Sequence, residues 1–396
     1  MRKVIFLVTI WFFSFISFFT RKLCKKSDKH RKAIAYFPCF FKENAGFHWR
    51  VEKWSEILKE NQINTKIFFA LSQKDWVKIK SGNHLVAIKI TIRRFFQILK
   101  SKRFSTVIVR REILPFNDYG NLFLEKLLIH FHPNAILDFD DDLAASKNQP
   151  KKITNWYGRL SLENGNKFNE SLKFYSNFLV ASKYLKDKVK TVNPKWKKIT
   201  VIPTCIDYNM YEFKKHKNPV PVIGWIGSDY NYPQLDKLLP ILKSISKEYK
   251  FKLVVVGGEE YVRDEANFEI EFKKWSLKKE KEYINGFDIG VMPLDNSKQS
   301  KGKGGFKLIQ YLAMGVTPIA SEITINKDIL CDERYGFLAK DPEEWRRFLV
   351  KALNNENLRK KISKNARKRA IEHYTFVSNK EKYLNAINSA IEYNIN

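Results

Sequence analysis

Little in this 396-residue chain supports the commonest motif-borne chemistries. Cysteine is scarce, and Cys24, Cys39, Cys205 and Cys331 lie far apart. No two have metal-ligand spacing, and four in so long a chain make no disulfide framework. This argues against structural zinc and for a reducing compartment. There is no Gly-x-Ser-x-Gly elbow, Walker loop or His-Glu-x-x-His helix, and no GxGxxG follows a strand. Ordinary hydrolase, NTPase, zinc-protease and dinucleotide-fingerprint readings therefore lose their support. Acidic residues are few, 42 against 72 Lys plus Arg, for a formal charge of +30. That balance suggests an anionic partner (a membrane surface, nucleic acid or a phosphorylated substrate) or a solvated basic surface. Nucleic-acid binding would rest on charge alone, without a reader motif.

What is present is enough apolar sequence, 44%, for two domains with their own cores. Residues 4–19 are apolar apart from Thr9, Ser14 and Ser17, with Met-Arg-Lys before them and a basic run over 21–32 after them. As a helix the stretch is about 24 Å long at ~1.5 Å per residue, short of a ~30 Å hydrocarbon core. Three readings stay open. One is a short signal anchor, helped by snorkelling of Lys22, Lys25 and Lys26. Another is a monotopic interfacial helix, although the apolar residues are not confined to one face. The third is a cleaved signal peptide, for which no small-residue cleavage site is visible. Membrane association is the expectation, with the basic side cytoplasmic.

Beyond residue 32 strand and helix patterns alternate. Strands are expected at 33–37, 65–69, 106–110, 135–138, 178–181 and 199–202, with helices at 49–59 and 122–131. A polar, Pro-containing stretch at 203–221 is the linker candidate. Strands then recur at 222–226, 252–256, 289–293, 316–320 and 337–338, with helices at 235–249, 306–314, 342–353 and 357–374. Such alternation implies mainly parallel sheets wrapped by helices, with ligands at the carboxyl ends of the strands. The expected division is 1–32 anchor and basic flank, 33–205 first domain, 206–221 hinge, 222–374 second domain and 375–396 C-terminal helix.

The segment 287–320, FDIGVMPLDNSKQSKGKGGFKLIQYLAMGVTPIA, carries the most functional information. A strand, a cationic glycine loop and a helix start follow one another, a site for a phosphorylated ligand. Lys301, Lys303 and Lys307 add charge, and Gly304 and Gly305 allow close backbone approach. GWIGS ends an earlier strand in Gly227 and Ser228, either facing a ligand or capping a helix. DFDDD places Asp138, Asp140 and Asp141 at a strand end, where carboxylates serve cation binding, catalysis or loop bracing. AGFHWR supplies Gly46, His48 and Arg50 after the first strand. Arg50 there could reach a phosphate or carboxylate, and a lone His48 is more often structural. Arg110, Arg111 and Glu112 end another strand.

In this order the pieces resemble the retaining nucleotide-sugar glycosyltransferases of the GT-B fold, of the family 4 or "group 1" type, over 33–374. AGFHWRVEKWSEIL, ILDFDDDLA, ITVIPTCID, WSLKKEKEYINGFDIGVMPL and KGKGGFKLIQYLAMGVTPIAS are similar to its successive motifs, ILDFDDDLA to the DFDD motif of one bacterial branch. The resemblance implies an α/β GT-B fold of two Rossmann-like domains. It also implies transfer of a sugar, with retention, from a nucleotide-diphosphate donor to a cell-envelope glycan or lipid-linked acceptor, on the cytoplasmic face of the membrane. No metal and no cofactor are implied, and the partners are donor, acceptor and an anionic membrane surface. Donor contacts map to Gly46, Arg50, Gly227, Ser228, Lys303, Gly304, Gly305, Lys307 and Gln310, and catalytic contacts to Asp138, Asp140 or Asp141. Two glutamates usual in the family fall on Gly302 and Gln310. Gln310 can still bond a ribose hydroxyl, while Gly302 offers no carboxylate. The alternative is a catalytically inactive GT-B protein that binds anionic glycan or lipid.

Overall fold

The computed structural model describes residues 2–23, 33–116, 121–145, 167–213, 218–263 and 266–392. They fall into two compact units, Met1–Thr204 with Lys380–Asn396, and Cys205–Asn379. The first holds a parallel sheet of β1 (Ala33–Pro38), β2 (Asn64–Ile67), β3 (Thr106–Arg110), β4 (Ile136–Phe139), β5 (Asn177–Val180) and β6 (Lys198–Val201). Their order is β2-β1-β3-β4-β5-β6. The central strands β1, β3 and β4 are buried almost throughout, the pattern of a sheet covered on both faces. The edge strands β2 and β6 keep partial exposure.

The helices of this unit are α1 (Arg2–Leu23), α2 (Lys53–Glu60), α3 (Gln73–Lys80), α4 (His84–Ser101), α5 (Phe123–Phe131), α6 (Lys167–Leu172) and α7 (Lys183–Val192). Helices α3 and α4 were not legible as periodic runs, yet their starts follow local chemistry. Ser72 and Asp75 form a reciprocal capping box, and the Asn83 side chain accepts from the Val86 N–H. The helix expected at 49–59 begins instead with a short turn, Ala45–Phe47. A single π turn, His48–Glu52, leads from it into α2. Helix α1 is 22 residues long, about 33 Å at ~1.5 Å per residue, and longer than the sequence suggested. Its span Val4–Lys22 is long and apolar enough to cross a membrane by length and composition. Phe6 and Ile10 are nevertheless part of the first unit's core, so the helix is built into the domain on one face. The basic flank at 24–32, with Lys25 and Lys26, lies outside the described residues.

The second unit holds β7 (Val222–Ile226), β8 (Lys252–Gly257), β9 (Glu269–Lys274), β10 (Ile289–Met292), β11 (Thr317–Ser321) and β12 (Phe337–Ala339). They form a parallel sheet in the order β12-β11-β10-β7-β8-β9. Strand β9 was not expected, because its charged, half-exposed edge sequence EIEFKK has no buried run. The accompanying helices are α8 (Tyr232–Asp236), α9 (Leu239–Ile245), α10 (Glu280–Asn285), α11 (Lys298–Lys301), α12 (Phe306–Met314), α13 (Thr324–Leu330), α14 (Pro342–Asn354), α15 (Glu356–His373) and α16 (Phe376–Glu392). The single helix expected at 235–249 is divided into α8 and α9. Pro240 has no N–H to continue the first and sits in the opening turn of the second. The start of the expected loop at 301–305 is helical, since Lys301 closes α11, which Ser297 caps.

The segment expected as a separate C-terminal helix groups, from Lys380 onward, with the first unit. The Tyr383 ring stacks on Trp54 at 3.9 Å between centroids and 7° between planes, and its hydroxyl lies 2.9 Å from that of Tyr36. Tyr383→Ala should cost about 3–5 kcal/mol, as aromatic truncations in cores do. Tyr383→Phe should cost only about 1 kcal/mol, the worth of one hydrogen bond. The urea midpoints of the two variants measure this difference.

Candidate functional site

In the second unit the chain leaves β7 outward through β8 and β9, then returns to β10 on the other side. The loops after β7 and β10 therefore part in opposite directions at the carboxyl ends of neighbouring strands. This topological switch point is where open sheets receive ligands. The loop after β7 is Gly227, Ser228 and a single turn, Asp229–Asn231. The loop after β10 leads through α11 and 302–305 into α12.

Two lysines of the second loop reach the first. The Lys303 ammonium donates to the Asn231 Oδ1, and the Asn231 amide donates to the Ser228 Oγ at 2.8 Å. The Lys307 ammonium lies 4.0 Å over the centroid of the Trp225 ring. A Cβ on Gly227 would stand 2.5 Å from that ammonium, so the absence of a side chain there is what admits it. Among the described residues no carboxylate pairs with Lys307. Burial pushes its ammonium well below the ordinary lysine range, and the neighbouring Lys303 lowers it further. Gly305 sits at φ +71 immediately before α12, and no side chain caps that helix. The arrangement is a cation pair beside a helix start, with free energy to be gained from an anion. The structure thus brings Gly227, Ser228, Lys303, Gly304, Gly305 and Lys307 together.

Gln310, on α12, is buried, and its amide nitrogen donates to the Glu280 Oε1 at 3.2 Å and to the Tyr211 hydroxyl at 3.5 Å. Trp275 Nε1 donates to the other Glu280 oxygen at 2.9 Å. Both amide protons of Gln310 are thereby engaged, which leaves Oε1 as its acceptor. Glu280 was missed by sequence reasoning. Its signal was one of two acids, with Glu282, in a lysine-rich helix start, five residues after a tryptophan.

The first unit has a parallel arrangement at its own switch point, between β1 and β3. Arg50 projects from the π turn and donates to Asp138 through Nε at 3.3 Å and through Nη2. Its Nη1 donates to the Ile202 and Pro203 carbonyls at 2.7 and 3.0 Å. Arg110, at the end of β3, pairs with Asp140 at 2.7 Å and lies 3.5 Å from Asp138. Arg50 and Asp138, expected on donor and acceptor, thus neutralise one another and brace the strand ends. Among the described residues, Asp140 keeps one carboxylate oxygen, Oδ1, buried with no hydrogen-bond partner. Burial works to raise its pKa, but Arg110, Arg111 and Arg50 outweigh that and hold the carboxyl well below the usual range. Asp142 pairs with Lys188 and accepts from the Ala144 N–H, so it braces its loop. Asp141 is half-buried beside it. Among the described residues no three or more His, Cys, Asp or Glu side chains are grouped to hold a metal ion. Gly46 is placed near this cluster, where an added Cβ would lie 3.6 Å from the Arg110 Nη2. His48 bonds Glu52 at 2.7 Å.

Removing one partner of the buried Arg50–Asp138 pair should leave an uncompensated charge. Arg50→Ala should therefore destabilise by about 3–5 kcal/mol. Asp140→Asn keeps the shape and removes one of the two carboxylates facing Arg110, which retains Asp138 at 3.5 Å. It should lower turnover while shifting the thermal midpoint less than Arg50→Ala does. Paired melting curves and initial rates separate the two roles.

Residues 220–355 match the family model for "Glycosyl transferases group 1". The chain is 24% identical over 313 residues to an uncharacterized glycosyltransferase, MJ1069, of Methanocaldococcus jannaschii, covering 74% of this chain and 76% of that one. Among solved structures it is similar to a glycosyltransferase from Rickettsia africae, with a TM-score of 0.63, 14% identity, and coverage of 91% of this chain and 98% of the other. It is also similar to HepE of Anabaena in complex with UDP and glucose, with a TM-score of 0.58, 10% identity, and coverage of 90% and 99%. These likenesses establish the GT-B fold. With a glycosyl transferases group 1 domain at 220–355 on that fold, the chain is a glycosyltransferase.

Proposed function

We propose that the protein transfers a sugar, with retention of anomeric configuration, from a nucleotide-diphosphate donor to a hydroxyl of a cell-envelope glycan or lipid-linked acceptor. The work would be done at the cytoplasmic face of a membrane, with no metal or cofactor required. The observation that carries this reading is the convergence of Lys303 and Lys307 on the turn after β7, beside the start of α12. A solved neighbour of the same fold holds UDP and glucose, which supports the donor class.

The mechanism follows from where charge develops. As the glycosidic C–O bond breaks, the departing diphosphate gains negative charge. With donor bound, the Lys303 and Lys307 ammonium groups and the positive end of α12 would stabilise that charge. Gln310 Oε1, oriented by Glu280, accepts from a ribose hydroxyl of the donor. Asp140 Oδ1 accepts from a hydroxyl of the sugar or acceptor and fixes its approach. Gly302 offers the transferred sugar no carboxylate, so sugar selection falls on other contacts.

Titration calorimetry against UDP-, GDP- and ADP-sugars tests the donor reading. One of them should bind, and Lys303→Ala with Lys307→Met should weaken it by about 3 kcal/mol, about 100-fold. Unchanged affinity in that double variant would refute the assignment. The depressed Lys307 adds a pH signature. An anion raises its pKa back toward the ordinary value of 10.5, so binding takes up a proton at any pH between the depressed and restored values. Affinity should fall as pH rises through that window, and the uptake should vanish in Lys307→Met. Calorimetry in two buffers of different ionisation heat counts those protons. NMR of the product's anomeric proton settles retention.

A further inference from the structure

We infer that the first unit docks on an anionic lipid bilayer through the outer face of α1, lying in the plane of the interface, with α4 beside it as a second contact. This rests on the membrane association proposed above and specifies its geometry. Helix α1 is apolar all round, but its two sides meet different surroundings. Phe6 and Ile10 are fully enclosed in the domain core. The Phe6 ring meets His84 at 5.8 Å and Phe116 at 6.0 Å, Phe13 meets Phe95 at 5.1 Å, and Ser14 donates to the Asn121 side chain at 3.2 Å. These contacts lay α1 alongside α4. On the opposite side Val4, Val8, Trp11, Phe15 and Phe18 recur at three- and four-residue steps and are 45–69% exposed. A contiguous aromatic stripe of that size on a solvent face marks an interaction surface.

The occupant follows from charge and packing. Helix α1 cannot leave for the bilayer centre without stripping its inner face from the core. Nor can it take α4 along, because α4 carries Lys89, Arg93, Arg94 and Lys100, each costly in hydrocarbon. An in-plane position needs neither. Helix α4 shows solvent an alternation of Leu85, Lys89, Phe96 and Lys100, apolar and basic by turns, and neither α1 nor α4 contains an acidic residue. Among the described residues Lys89 pairs only with Asp75 on α3, at 4.0 Å. At the end of α1, Lys22 lies 4.7 Å over the Phe18 ring, so a cation sits beside the last aromatic of that stripe. Aromatic residues at the acyl boundary with lysines at headgroup depth match an anionic leaflet.

The test is flotation of the full chain with phosphatidylcholine vesicles and with vesicles of equal parts phosphatidylcholine and phosphatidylglycerol. The protein should float with the mixed vesicles and bind the neutral ones at least about tenfold less. The variant Val8→Ser, Trp11→Ser, Phe15→Ser should stay unbound while keeping its thermal midpoint and donor binding, since those side chains are 61–69% exposed and Phe15 packs on Phe19, itself exposed. Lys89→Glu with Lys100→Glu should lose at least about tenfold on mixed vesicles. If this α4 variant floats like the parent while the α1 variant does not, α1 inserts alone. The in-plane geometry is then wrong and membrane association stands. A parent chain that floats with neither vesicle overturns both. So does a parent that binds no vesicle but sediments as a dimer which the α1 variant dissociates, because the occupant is then a second copy.

Discussion

In the second unit Lys307 has no anionic partner among the described residues. Lys307 is held over Trp225 in a position that burial makes electrostatically costly, and the space it fills exists because residue 227 has no side chain. A lysine so placed at the carboxyl ends of the strands is a candidate for completion by a bound anion. The parallel sheet places the site at its switch point, and the lysine spacing of the loop before α12 brings Lys303 to the same turn. The proposed phosphate site therefore rests on the topology together with two lysines.

The first unit treats charge in the opposite way. Arg50, Asp138, Arg110 and Asp140 compensate one another at the strand ends, and Arg94 satisfies its donors on the Ile113, Phe68 and Pro38 carbonyls. The result is a rigid polar platform with one carboxylate oxygen left over.

The parallel strands were legible because buried β-branched and aromatic runs stand out between turn residues. Gly305 and Gly315 marked both ends of α12 to the residue, since each takes a positive φ that few other residues adopt. Lys303, Lys307 and Gly227 could be named from the strand–loop–helix order alone. Strand β9 escaped because an edge strand needs only one buried face, and α4 escaped because His84, Thr91 and Arg94 put polar residues on its buried face. The pairing of Arg50 with Asp138 was invisible, since 88 positions separate them and only the sheet order makes them neighbours. Helix α1 misled in an instructive way. Its apolar residues read as unsided because one face is for protein and the other, on the reading above, for lipid.

A structure of the full chain with a bound nucleoside diphosphate tests the central claim most directly. The account places the two phosphates within hydrogen-bond reach of the Lys303 and Lys307 ammonium groups and the first turn of α12. Phosphates bound elsewhere, with Lys307 still resting on Trp225 and touching no anion, would contradict it.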